Sequence, residues 1–139
     1  MRVSSITPQY VNNIPDHLED GVLYVCERFG TVAHKCCCGC GEEVITPLTP
    51  ADWSMRKEKG AVSLSPSIGN WSFACKSHYF ITRNQVIWAG ALTAGQIAAV
   101  RAEDKKDKAA YIAAINRQKA KQVSVFGRLW QAFVGWWRS

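Results

Sequence analysis

His34-Lys35-Cys36-Cys37-Cys38-Gly39-Cys40-Gly41, answered much later by Cys75-Lys76-Ser77-His78, decides how the first part of this chain folds. Five of the six cysteines lie in these two patches, and each patch carries a histidine. Thiolate sulfur and imidazole nitrogen hold a borderline-soft cation tetrahedrally, and two short ligand clusters joined by folding are enough to build the cage. The bland alternative is that buried free cysteines pack as small hydrophobes. That reading suits isolated Cys26, which sits in an apolar strand, better than two clusters at ligand spacing. Mixed sulfur and nitrogen donors, with nothing pointing to redox chemistry, favour Zn2+. A tetrahedral ion needs four ligands, and His34, Cys36, Cys37, Cys38, Cys40, Cys75 and His78 are on offer. The expected set is two cysteines from Cys36, Cys38 and Cys40, joined by Cys75 and His78. Glycine at 39 and 41 lets the backbone curl toward the sulfurs. His34 is expected to support the site or the fold, and His17 to be a surface or capping residue.

Outward from these patches the sequence reads as β. Gly21-Val22-Leu23-Tyr24-Val25-Cys26 is a strand, and Phe29-Gly30-Thr31 turns the chain back toward Val32 and His34. Glu43 to Thr46 is a short strand stopped by Pro47 and Pro50. Trp53 to Arg56 and Ala61 to Ser65 alternate apolar with polar around a Glu58-Lys59-Gly60 turn. Trp71 to Cys75, His78 to Ile81 and Gln85 to Trp88 continue the pattern, with Thr82-Arg83-Asn84 as a hairpin turn. The expected architecture is mainly β with a C-terminal helix (α+β): a small antiparallel sheet or sandwich pinned by metal, covering residues 1–90. Trp53, Trp71 and Trp88 are expected in the core around the site.

Residues 91–139 differ in kind. Before Arg101, eight basic side chains balance eight acidic ones; after it, Arg101 and eight further cations face only Glu103, Asp104 and Asp107. The whole net charge of +6 therefore lies in a basic helical extension. Thr93 with Gln96 forms a capping box, and Leu92 with Ile97 a hydrophobic staple. Good helix formers run on to about Gln122. Beyond Val123, Phe126, Leu129, Trp130, Phe133 and Trp137 recur at helical spacing, with Arg128, Gln131 and Arg138 mostly off that face. Three placements fit such a segment: folded back on the domain, docked on a protein partner or a second copy, or laid on a membrane surface. Nucleic acid is disfavoured, because no base-reading motif accompanies the lysines.

Composition and motifs narrow the chemistry. A chain of 139 residues, 47% hydrophobic with six tryptophans, is globular. No apolar leader or bilayer-length run is visible, so a cytoplasmic protein with reduced thiols is expected. No H-E-x-x-H occurs, nor the deaminase H-x-E with P-C-x-x-C, and the Rieske order of Cys before His is reversed here. Zinc is therefore expected to be structural. No serine has the context of a nucleophile elbow, and there is no phosphate loop. The stretch Val62 to Ser72 reads either as a polar recognition loop beside the metal or as a loop tied by its own serines and Asn70.

Five segments in one register, C-C-C-G-C-G, T-P-L-T-P-x-D-W, V-S-L-S-P-S-I-G-N-W-S, C-K-S-H-Y-F-I and V-I-W-A, carry a resemblance over about residues 21–89. The chain resembles a bacterial family of small cysteine-rich, zinc-binding proteins, some encoded beside ubiquitin-like modifiers and their activating and conjugating enzymes. The resemblance implies a compact zinc-binding domain and an accessory place in a ubiquitin-like pathway. It carries over no activity. Its first cluster resembles H-x-C-x-C-G-C, which makes Cys37 the cysteine to leave out of the ligand set. The resulting expectation is a non-enzymatic zinc-binding adaptor, with components of ubiquitin-like conjugation as partners and the C-terminal helix as the docking element. The alternative is a zinc- or cysteine-dependent enzyme, either a hydrolase or a thiol carrier in modifier transfer.

Overall fold

The structure is a computed structural model describing residues 1–137; Arg138, counted above among the tail's basic residues, lies outside them. Eight strands precede one long helix: β1 (Thr7–Tyr10), β2 (Val22–Cys26), β3 (Thr31–Lys35), β4 (Glu43–Pro47), β5 (Ser54–Glu58), β6 (Ala61–Gly69), β7 (His78–Thr82), β8 (Gln85–Trp88) and α1 (Ala94–Trp137). They form two four-stranded sheets, ordered β1-β2-β3-β4 and β5-β6-β7-β8. Every pairing is antiparallel except β1 with β2. The expected mainly β fold with a C-terminal helix is what the chain adopts.

Alternation explains the packing. In β7, Tyr79 and Ile81 are buried while Phe80 is exposed; in β6, Val62, Leu64 and Ile68 are buried. Side chains of a strand point to opposite faces in turn, so one face of the second sheet turns inward. There it meets Leu23, Val25, Val32 and Val44 of the first sheet in a single core. The N-terminal segment ties the sheets together. Val86 donates its backbone N–H to Ser4 O (2.9 Å) and Ile6 to Asn84 O (2.8 Å), before the chain crosses to pair β1 with β2. A smaller cluster of Leu18, Tyr24 and Ala33, packed by Val11 and Ile14, covers the other face of the first sheet.

One expected strand is absent and one unexpected strand is present. Residues 71–75 form turns, not a strand: Phe73 N–H bonds Asn70 O (3.1 Å) and Lys76 N–H bonds Phe73 O (3.1 Å). Local carbonyls capture the amides that a strand would have paired. β1 was not foreseen, because Thr7-Pro8-Gln9-Tyr10 has no buried residue and is held as an edge by its register with Val22 to Val25.

The chain divides into two compact units, Met1–Arg101 and a second beginning at Ala102. The capping box is present: Gln96 N–H donates to Thr93 Oγ1 (3.2 Å), and Thr93 N–H donates to Gln96 Oε1 (2.8 Å). The helix then runs without interruption to Trp137, through Val123, where the composition changes. Phe126, Leu129, Trp130, Phe133, Trp136 and Trp137 are exposed along it. No helix among the described residues is long and apolar enough to cross a membrane.

Candidate functional site

The first cysteine patch leaves the end of β3 and turns at once. Cys36 N–H bonds Glu42 O (2.8 Å), Gly39 N–H bonds Cys36 O (3.1 Å), and Gly39 and Gly41 take φ of 88° and 87°. Those left-handed values favour glycine, and they curl the tract so that alternate cysteines face one point. Cys75 approaches from the turn before β7. The sulfurs of Cys36, Cys38, Cys40 and Cys75 all lie within 4.8 Å of one another. Cys36 Sγ is 3.4 Å from Cys38 Sγ and 3.9 Å from Cys75 Sγ, which is 3.9 Å from Cys40 Sγ. Four sulfurs bound tetrahedrally at about 2.3 Å from a zinc ion stand roughly 3.8 Å apart, so the donor set fits such an ion. Cys40 N–H also donates to Cys38 Sγ (3.3 Å), a contact that favours a thiolate.

The electrostatics point the same way. Burial first, then hydrogen bonds with Cys40 and Cys36, push the Cys38 thiol up to about 12. At Cys75, burial raises the thiol, but hydrogen bonds from Ser77 and neighbouring cysteines outweigh it and bring it down to about 7. One sulfur of such a group ionises only while its neighbours hold their protons; a cation among them removes that conflict.

His78 does not join this group: its imidazole is not among the donor atoms gathered there. Its Nδ1 faces Gly90 O at 3.3 Å, and its Nε2 faces Ser67 Oγ at 2.9 Å. A carbonyl can only accept, so the proton belongs on Nδ1 and the lone pair of Nε2 is directed at the Ser67 hydroxyl. Ser67 reaches this position because the β6–β7 register shifts between Leu64 and Ile68, before Gly69 pairs with His78. The Trp53 indole N–H holds Ser67 O (3.3 Å).

A buried polar network lies beside the sulfurs, built on Asn70 and on Ser77 and Tyr79, the two neighbours of His78 in the chain. Asn70 Nδ2 reaches Ser77 Oγ (2.9 Å), Cys36 Sγ (3.5 Å) and Tyr79 Oη (3.4 Å). Ser77 Oγ lies 3.0 Å from Cys36 Sγ, and Tyr79 Oη lies 2.8 Å from His34 Nε2. His34 is fully buried in that network, and burial holds its imidazole down at about 4, neutral. Cys37 turns into the core, where burial, chiefly, pushes its thiol up to about 11. Cys26 is buried and donates to Asn12 O (3.3 Å), while His17 is exposed. Of the expected tryptophans, Trp53 and Trp88 pack against the core, whereas Trp71 lies on His78, with ring centroids 5.0 Å apart.

A nucleophile and a base at 2.9 Å, with the base's tautomer set by a third group, is the arrangement that activates a serine hydroxyl. The family model described as "Bacterial ubiquitination-like system serine protease (BubE)" matches residues 10–89. The chain belongs to that family. No curated protein and no solved structure matches it.

Membership ties the chain to bacterial ubiquitination-like systems, as the resemblance implied. It also overturns the non-enzymatic adaptor, because the BubE family is described as one of serine proteases. The adaptor expectation rested on reading the zinc as structural, on a resemblance that carried over no activity, and on the absence of a nucleophile elbow. That motif belongs to one strand–turn–helix setting, and serine nucleophiles recur on unrelated folds, recognised by geometry and not by local sequence. The residue that the geometry brings to His78, and that the sequence did not single out, is Ser67. The available signal was the alternating serine run Ser63, Ser65, Ser67, which continues the expected strand Ala61 to Ser65 into a stretch that reads as a loop and belongs to β6, the strand paired with β7.

Proposed function

We propose that this chain is a serine hydrolase of a bacterial ubiquitination-like system, cleaving an amide bond to a protein modifier, with Ser67 as nucleophile and His78 as general base. The observation that carries the reading is the 2.9 Å contact between Ser67 Oγ and His78 Nε2, with Nδ1 of the same ring facing Gly90 O. Ser67 Oγ attacks the scissile carbonyl carbon as its proton passes to His78 Nε2. The imidazolium returns that proton to the leaving amine, and an acyl ester on Ser67 remains. Water, deprotonated by the same Nε2, then hydrolyses the ester and restores the serine. Where serine proteases commonly place a carboxylate on Nδ1, this chain places a neutral main-chain carbonyl. That group sets the tautomer but gives the imidazolium less support.

Cys36, Cys38, Cys40 and Cys75 are the residues that would hold zinc. Four sulfur ligands fill a tetrahedral ion and leave no position for water or substrate, so zinc would supply structure here and no Lewis-acid step. It would fix the turn after β3 to the turn before β7, and so fix where β7 begins.

The test is hydrolysis of a modifier fused through an amide bond to a reporter protein. The native chain releases the reporter. Ser67→Ala, folded and with its full metal content, is expected to lose at least about 10^3-fold in rate. Release by Ser67→Ala at the native rate would refute the assignment.

A further inference from the structure

A single neutral acceptor at 3.3 Å is a weak anchor for an imidazole. Rotation of the ring would break its bonds to Gly90 and Ser67 together, so its orientation needs support from packing. Two aromatic rings supply it. Trp71 meets the His78 ring at 5.0 Å between centroids and 61° between planes, and Phe80 at 6.0 Å and 36°.

Trp71 is not spent on the core. The partly buried apolar residues packed there include Trp53, Phe73 and Trp88 but not Trp71. Its indole lies instead against Gly69, the residue that pairs with His78 across the β6–β7 ladder. A Cβ on Gly69 would stand 2.4 Å from Trp71 Cε2, 2.5 Å from Cζ2 and 2.6 Å from Nε1. No side chain fits at those separations, so any substitution there must move the ring. Gly69 is not among the glycines with positive φ. It is therefore required for space and not for backbone conformation.

We propose that Trp71, seated on the bare face of Gly69, is a positioning residue that holds the His78 imidazole in the rotamer where Nε2 faces Ser67. The proposal rests on the assignment of Ser67 and His78 as nucleophile and base. It adds that the base is oriented chiefly by an aromatic wall, in place of the carboxylate found in other serine enzymes.

The experiment measures the rate at which the full-length, metal-loaded chain reacts with a fluorophosphonate probe, so no natural substrate is needed. The Ser67 oxygen bonds to phosphorus, the phosphorus–fluorine bond breaks, fluoride leaves and the hydroxyl proton passes to His78 Nε2. Trp71→Leu keeps apolar bulk but not the ring, and is expected to slow labelling roughly 10- to 100-fold across the pH plateau. Trp71→Phe restores a ring and is expected within ~3-fold of native. Gly69→Ala, which pushes the indole away while leaving Trp71 in place, should be slowed like Trp71→Leu. Circular dichroism and metal content establish that each variant is folded, and Gly69→Ala carries the test if Trp71→Leu fails to fold. Native-rate labelling of either slowed variant would overturn the proposal, as would a Trp71→Phe as slow as Trp71→Leu. Ser67→Ala separates the two layers. If it is labelled at the native rate, the underlying site assignment fails. If it is unlabelled while Trp71→Leu and Gly69→Ala react normally, only the positioning role fails.

Discussion

The sulfur cluster and the Ser67–His78 pair meet at the start of β7, where Cys75 lies in the preceding turn and His78 opens the strand, yet they are legible in opposite ways. Cys36, Cys38, Cys40 and Cys75 announce a metal by residue type and short spacing, before any fold is known. Ser67 and His78 announce nothing, since serines and histidines are common and these two are brought together only by strand pairing. His78 belongs by spacing to the first group and by geometry to the second. C-x-x-H looks like half a zinc site, but β7 begins at His78. From that point the side chains alternate across the sheet, which carries the imidazole to Ser67 and leaves Cys75 with the sulfurs. Spacing groups the cysteines of a loop as the structure does; across the boundary between a loop and a strand it groups His78 with sulfurs that the structure does not bring to it.

The sharpest way to break this comparison is His78→Gln. If His78 is the base, hydrolysis falls by about 10^4-fold or more. Metal content, measured by atomic emission on the purified variant, stays at the native value. Loss of metal from His78→Gln would return the residue to the ligand set and undo the division between the two sites.

Next in size is removal of the metal. Cys36→Ser takes away the proposed ligand that also touches Ser77 and Asn70. Structural zinc commonly contributes on the order of 10 kcal/mol to small metal-dependent folds, so a fall in melting temperature is expected together with loss of the metal. Hydrolysis should fall in step with the folded fraction. A Cys36→Ser variant that is metal-free, folded at the native melting temperature and fully active would show that the cluster does not position the pair.

How much could be read beforehand follows from the same physics. The strands of the second sheet were visible because only one of its faces is buried, and the alternation of Val62, Leu64 and Ile68 with small polar residues survives in the sequence; those of the first sheet, covered on both faces, showed as short apolar runs. The helix start was visible because Thr93 and Gln96 make a local, reciprocal bond. Residues 71–75 were misread as a strand, since Trp71 and Phe73 alternate with polar residues although Trp71 faces His78 and not the core. β1 was invisible because an edge strand with no buried residue has no pattern to show. Ser67, the proposed nucleophile, was lost for a related reason: its partner His78 comes from β7, and the Gly90 carbonyl that faces His78 comes from the chain after β8.

Smaller effects sharpen the link between the two regions. Asn70→Ala removes a buried amide shared by Ser77, Cys36 and Tyr79, and should cost about 1–3 kcal/mol in chemical denaturation. Activity per folded molecule should also fall, since Asn70 lies between the sulfurs and the start of β7. An unchanged midpoint would mean that the network is not a connection. The smallest effect is expected from Cys37→Ala. Its thiol faces the core and not the sulfur group, so the variant should keep its metal and its activity and lose about 1 kcal/mol of stability. Metal loss there would move Cys37 into the ligand set and displace one of the four.

The most direct measurement is to locate the atom that reacts. The native chain is labelled with a fluorophosphonate, digested, and its modified peptide sequenced by mass spectrometry. A single adduct on Ser67, absent when His78 is replaced by glutamine, is the predicted result. An adduct on any other residue, or undiminished Ser67 labelling in His78→Gln, would contradict the account.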